Sequence, residues 1–507
     1  MPLDPSVAPG QPLPEPVLLD QPLSPEQVVA VARGAELQLS EAAVQRIRYA
    51  RRIVEGLVAG SIRGYGINTG VGALCDVIIS PEDQSALSRN ILFSHACGVG
   101  EPLESEGVRA IMATQINNFA LGRSGISWEA VETLLALLNA GVTPVVPSRG
   151  SVGYLTHTAA IGLVLIGAGE ALQGEERMSG AEALRRLGRQ PLVPGAKEGL
   201  SLVNGTVCGT GLAVLAHARL RDLVEWGDAA GAFTYEVLAR QEMTFHGSSQ
   251  TFRDTPGVRG TAESMQRWLE GMNAPDAGSF STQDPLSLRA IPQVHGAIRD
   301  ELDQIGEILT QELRYVSDNP AVAGTPDAPE VYSQANAVGA SVGFAGDRLA
   351  MIAAQLGAIA ERRVDRLVNP LVSGLPAFLG AEAGRGSGFM IAQYTAAGLK
   401  GENRMLAFPA SLAGGITSAL QEDMLTHATP AAEKSLRIIR NTRMILAIEL
   451  LCGAQARDLA RKPCGSQRLR RIYQAVRDVV PLYADDRPLS QDMECVSAML
   501  SQGRPAC

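Results

Sequence analysis

Residues 146–172 read VPSRGSVGYLTHTAAIGLVLIGAGEAL. The left half, 147–153, is a Pro/Gly/Ser loop whose Gly150 and Gly153 open backbone angles that other residues avoid. The right half, 155–166, is apolar and uncharged apart from His157, and it reads as a buried helix. A loop feeding the N-terminus of such a helix gathers unpaired N–H groups at the positive end of a dipole, where electron-rich chemistry is stabilised. A plain junction between a loop and a core helix has the same pattern.

Helical patterns continue on both sides. Ser24-Pro25-Glu26-Gln27 offers an N-cap serine, a proline at the first helical position and a glutamine three residues on. A second start follows at Ser40, and Val44, Ile47, Ile53, Val54 and Leu57 then share one face of a helix ending near Gly60. In 341–368, Leu349, Ile352, Leu356 and Ile359 form an apolar face, followed by the charged end Glu361, Arg362, Arg363, Asp365 and Arg366. In 431–459, Ile445, Ile448 and Cys452 lie on one side of another long helix. Period-two β-branched runs are scarce, so the expected fold is mainly α with long helices in a bundle. Residues 1–23, rich in proline, read as a flexible arm. Beyond it the chain divides into an N-terminal domain over 24–205 and helical bundle and C-terminal helices over 206–507.

With 507 residues, 46% hydrophobic and 19% charged, the chain can bury a large core. A net charge of −9 without a Lys/Arg block argues against a nucleic-acid surface. The seven cysteines are scattered with no CxxC pair, and the six histidines form no HExxH or HxxxH pair, so no metal site is expected. The N-terminus has neither a basic region nor an apolar segment. The longest uncharged apolar run, near Ala159, is about half the roughly 20 residues of a membrane span. These features lead to the expectation of a soluble, cytoplasmic protein with no membrane partner.

Four further segments could carry chemistry. The loop RGYGINTGVG, 63–72, is dense in glycine and presents Tyr65, as a ligand-closing loop or as a surface loop with an aromatic anchor. It lacks the Gly-Lys-Ser/Thr ending of a phosphate loop. Ser94 and His95 end an apolar helical run before a glycine turn. Asn204-Gly205-Thr206 is a short turn before an apolar helix. Arg289 sits in the polar turn 283–293, either as an ion-pair anchor or as a fork for a substrate carboxylate.

Together these segments resemble the aromatic amino acid ammonia-lyase and aminomutase family, over about 24–459 and in the family's motif order. SGLPAFLGAEAGRGSGFMIAQYTAAGLKGEN, ending at Asn403, is similar to the histidine-lyase-like branch. The resemblance implies the family's fumarase/aspartase-like helical bundle and a homotetramer with each active site assembled from three subunits. It also implies roles: Tyr65 as the mobile-loop general base, Asn204 as the asparagine near the cofactor, and Arg289 as the grip on the substrate carboxylate. Ser94 and His95 fall at the position that selects the side chain, Glu402 matches a pocket glutamate, and Gln421 with Glu422 matches part of a QED motif.

Other positions depart from the family. Its loop reads GSVG, then Ala-Ser-Gly, then Asp-Leu, and the Ala-Ser-Gly cyclises into an electrophilic methylidene-imidazolone (MIO) group. Here Gly150, Ser151, Val152 and Gly153 lead directly into Tyr154 and Leu155. The family's tyrosine after Gln-Asp-x is Leu286, the Phe-His of its GGNFHG is Ala337-Val338 beside Asn336, and the Asn before QED is Leu420. No cofactor is therefore expected from this sequence, unless an Ala-Ser-Gly after Gly153 was omitted when it was written down. The reading is an enzyme without MIO, acting by elimination, addition or isomerisation on an activated, carboxylate-bearing small molecule. In this reading Tyr65 is the base, Arg289 binds the carboxylate, and Asn204 and Glu402 are polar pocket contacts. The alternatives are a conventional MIO-dependent ammonia-lyase or 2,3-aminomutase and a noncatalytic ligand-binding protein. The apolar replacements favour the last of these.

Overall fold

Ser24 starts the first helix as its sequence dictates. Its hydroxyl oxygen accepts the Gln27 N–H while the Gln27 side chain accepts the Ser24 N–H, a closed capping box over Pro25–Ala32. Ser40 caps Glu41–Ala59 with its side chain alone, its hydroxyl oxygen accepting the Ala43 N–H, and Gly60 ends it. The computed structural model describes residues 15–238, 244–247, 252–272, 282–382, 384–460 and 464–505. The first fourteen residues of the proline-rich arm, Lys462 and Cys507 lie outside them. Within the remainder of that arm, Val17–Leu19 is a strand paired in parallel with Leu37–Leu39.

The chain divides into two compact units. The first comprises Met1–Ala216, Gly306–Asp347 and Pro409–Glu433. Its centre is Ser105–Ala120, buried continuously from Gly107 to Ala120. Arg109 is tolerated there because its guanidinium donates to the carbonyls of Val31 (2.8 Å) and Leu138 (2.6 Å). Glu41–Ala59 buries Ile53, Val54 and Leu57 against Ile67, Ala196 and Val322, which anchors one flank of the tyrosine loop in the core. Short sheets tie the loops together. Val99–Pro102 pairs antiparallel with Pro147–Arg149, so the first part of the 147–153 loop is a strand. Val142–Pro144, Glu170–Gln173 and Glu176–Ser179 make a three-stranded sheet flanking the buried helix Thr156–Leu165.

The second unit comprises His217–Ile305, Arg348–Phe408 and Lys434–Cys507 and is helical among its described residues. Its long helices carry the periodicity expected of them. Ala340–Val368 and Ala428–Ala460, each partly in this unit, match the expected 341–368 and 431–459 within three residues at either end. Arg363 and Glu449, both fully buried, form a bidentate pair at 2.6 and 2.9 Å, and Thr234 donates to the same carboxylate. Such geometry is what a buried charge needs to offset desolvation. A second network joins His295, Asp228 and Arg299. The fold class is therefore mainly α, with long helices and only short strands.

Candidate active site

The loop after Pro147–Arg149 is held by its own small residues and by one segment far along the chain. Ser151 Oγ accepts the Gly153 N–H at 3.1 Å and donates to the Tyr154 carbonyl at 3.2 Å. The Val152 carbonyl accepts the His427 N–H, and the Gly153 carbonyl accepts the Thr429 hydroxyl. Gly153 has φ +139°, an angle at which any side chain would be strained whatever the space around it. The Leu155 N–H donates to Val203, and Leu155 is held at φ +75°, ψ −63°. The Thr156 N–H reaches back to the Tyr154 carbonyl at 3.1 Å, closing a γ-turn into the helix. This is the form of γ-turn that is rare because it is strained, and it occurs where the motif departs from the family.

That turn buries Tyr154 and brings its hydroxyl to Glu422 Oε2 at 3.1 Å, across 268 residues of sequence. Burial raises the Tyr154 phenol well above its ordinary range, and the charge and hydrogen bond of Glu422 raise it further. Tyr65 belongs to the same cluster. Its hydroxyl oxygen accepts the Gly72 N–H at 2.8 Å within its own loop. Burial pushes its phenol up, Glu422 adds to that, and the Gly72 hydrogen bond opposes it. The loop is steadied by Ser418, whose Oγ accepts the Ala73 N–H at 3.1 Å. Ser418, Ala419 and Leu420 all have φ between +49° and +78°, a left-handed run that only surrounding contacts hold in place.

The other expected residues are distributed more widely. Asn204, almost fully buried, donates to the Asn319 carbonyl (2.6 Å) and to Asp318 (3.3 Å). Gln334 bonds Asn319 in turn and accepts the Asn336 N–H, so Asn204 and Asn336 lie on one polar chain. Asp318 also pairs at 2.9 Å with Lys197, both fully buried. Ser94 Oγ lies 3.1 Å from His95 Nδ1. The Ile91 carbonyl, which can only accept, is 2.8 Å from that nitrogen, so Nδ1 carries the proton and Nε2 is left as an acceptor. Burial holds His95 below its usual range, so the ring is neutral at pH 7. Gln421 is exposed beside Glu422.

Arg289 and Glu402 belong to the second unit. Arg289 ends the single turn Leu286–Arg289, and its buried Nε has no partner among the described residues. An orphaned guanidinium nitrogen is what an absent carboxylate would satisfy. Glu402 is bound to Arg437 at 2.6 Å. Leu286, at the position of the family's tyrosine, is 63% exposed, so no phenol acts from there.

The residues present do not fit the cyclised electrophile that the resemblance implies. Gly153 is bonded directly to Tyr154, and no Ala-Ser-Gly lies between them. Tyr154, which follows Gly153, pairs there with Glu422. Sequence reading did not find Tyr154 as the partner of Glu422, or Ser418 as a support of the tyrosine loop. No spacing signal joins residues 345 positions apart, as Ala73 and Ser418 are.

Comparisons with known proteins give the family. Residues 23–478 match the model of the aromatic amino acid lyase family. Histidine ammonia-lyase of Symbiobacterium thermophilum is 44% identical over 498 residues, covering 96% of this chain and 97% of that protein. The crystal structure of histidine ammonia-lyase from Trypanosoma cruzi superposes with a TM-score of 0.87 at 35% identity, covering 96% of this chain and 93% of that one. The ergothioneine-degrading ergothionase of Treponema denticola superposes at 0.89 with 29% identity, covering 96% and 99%. Coverage this complete, carried by the helices and loops described above, makes the chain an enzyme of the aromatic amino acid lyase family.

Proposed function

We propose that this enzyme eliminates a tertiary amine from a betaine, a carboxylate-bearing substrate whose amine is already quaternary, without an MIO electrophile. The observation that carries the reading is the Tyr154–Glu422 contact beside Tyr65. Two phenol rings and a carboxylate suit a quaternary ammonium, which aromatic faces and a negative charge attract together. A primary α-ammonium is a poor leaving group and calls for an electrophile. A trimethylammonium departs as a neutral amine with no such help.

In the step, the Tyr65 oxygen takes the β-proton. The C–H electrons form the Cα–Cβ double bond, and the Cα–N bond breaks to release trimethylamine. Glu422 alone would keep Tyr65 protonated, and the positive charge of the bound substrate offsets it, so the base is made ready by substrate. Arg289, with its unpaired Nε, would grip the carboxylate within the family's three-subunit site. Ser94 and neutral His95 would face the substrate side chain, with Asn204 and Asn336 lining the polar side and Gln421 beside Glu422. The kinship with an ergothioneine-degrading enzyme supports this substrate class, since ergothioneine is itself a betaine.

A second reading is deamination of histidine, favoured by the 44% identity to a histidine ammonia-lyase. One experiment separates them. The purified tetramer or monomer is offered histidine, phenylalanine, tyrosine and their Nα-trimethyl betaines, and acrylate absorbance and amine release are followed. Product from a betaine alone is expected, with Tyr65→Phe slowing turnover by about 10²–10⁴-fold. Product from free histidine would overturn the proposal in favour of the second reading. Saturable betaine binding without product would leave a noncatalytic ligand-binding protein.

A further inference from the structure

Away from these residues, the helix Glu41–Ala59 borders a groove of about 320 Å³ lined by Gln45, Arg48, Arg51, Arg52 and Trp128. The volume is at the lower end of small-molecule sites. The three arginines differ in what already holds them. Arg51 is structural: it donates to the carbonyls of Gly125 (3.3 Å) and Ala196 (2.9 Å) and pairs with Glu55 at 3.3 Å. Arg48 and Arg52 are exposed and have no carboxylate partner among the described residues. Gln45, Arg48 and Arg52 follow the i, i+3, i+7 spacing of one helix face, so they point the same way.

Those two guanidiniums rest on aromatic rings. Arg48 lies 5.8 Å from the Trp128 ring centroid and Arg52 lies 5.5 Å from that of Tyr49. Ring contact limits the freedom of both forks without neutralising them. In a chain of net charge −9, two uncompensated arginines beside a partly exposed indole form a local positive pocket with a stacking surface. A dianionic phosphate suits the paired forks, and a planar ring suits the guanidinium and indole faces.

We propose that this groove is a binding site for a nucleoside monophosphate, separate from the residues assigned to the elimination. The test uses the full-length protein with AMP, adenosine and inorganic phosphate, read by equilibrium dialysis and by tryptophan fluorescence. Trp128→Phe identifies the responding indole among the three tryptophans. Saturable AMP binding is expected, at least tenfold tighter than adenosine or phosphate alone and at least tenfold weaker in Arg48→Gln/Arg52→Gln. Arg51 is left intact so that the fold is undisturbed, and circular dichroism of the double variant checks this. The proposal is overturned if AMP fails to saturate, if adenosine or phosphate binds as tightly as AMP, or if the folded double variant binds AMP like the parent.

Discussion

Tyr154 donates its phenolic hydrogen to Glu422, and Glu422 in turn raises the proton affinity of Tyr65. One carboxylate therefore acts on both phenols. Because Tyr65 must lose its proton to act as a base, kcat/KM should rise with pH toward an alkaline limb above the ordinary tyrosine range. The limb for kcat, measured with cation bound, should lie at lower pH. Glu422→Gln should move the kcat/KM limb of the free enzyme toward acid and raise KM for a betaine. Identical pH profiles for parent and variant would show that Glu422 does not act on the base.

Tyr154→Phe removes a hydrogen bond to a charged acceptor. A loss of about 1.5–3 kcal/mol of stability is expected in urea denaturation, with little change in the denaturant slope. The phenyl ring still fills the buried space, so the effect isolates the hydroxyl.

Leu155 is held at a positive φ that a leucine occupies at a cost of about 1–3 kcal/mol. Glycine would relieve that cost, whereas a β-branched residue would increase it. In thermal melts, Leu155→Gly should match or exceed the parent, and Leu155→Val should fall below both. The reverse order would mean that side-chain packing, not backbone strain, dominates there.

Lys197 and Asp318 share a fully buried ion pair, and Asp318 also accepts from Asn204. Lys197→Met leaves a buried carboxylate without its cation, which costs about 3–5 kcal/mol. Because Asp318 orients Asn204, the variant should also lose betaine affinity under conditions where it remains folded, as titration calorimetry would show.

His157 and His295 are buried, and burial lowers the proton affinity of both, as it does for His95. Below the ordinary histidine pKa of about 6.5 the unfolded chain takes up protons that the folded chain refuses, so stability should fall as pH drops from there. Urea midpoints measured from pH 7.5 to 5 should decline, and His157→Gln should flatten part of the slope.

The sequence by itself determined the helical fold. The caps at Ser24 and Ser40, the apolar faces of 341–368 and 431–459, and the uncharged run after Leu155 are local patterns, and local hydrogen bonds and periodic burial execute them without distant information. It also showed that Gly153 meets Tyr154 with no Ala-Ser-Gly between, and it singled out Tyr65, Asn204 and Arg289. Only the tertiary structure decided what surrounds that junction. The seating of Tyr154 on Glu422 and the support of the tyrosine loop by Ser418 join residues hundreds of positions apart. Such contacts depend on where packed helices place their connecting loops, and no periodicity along the chain encodes that placement.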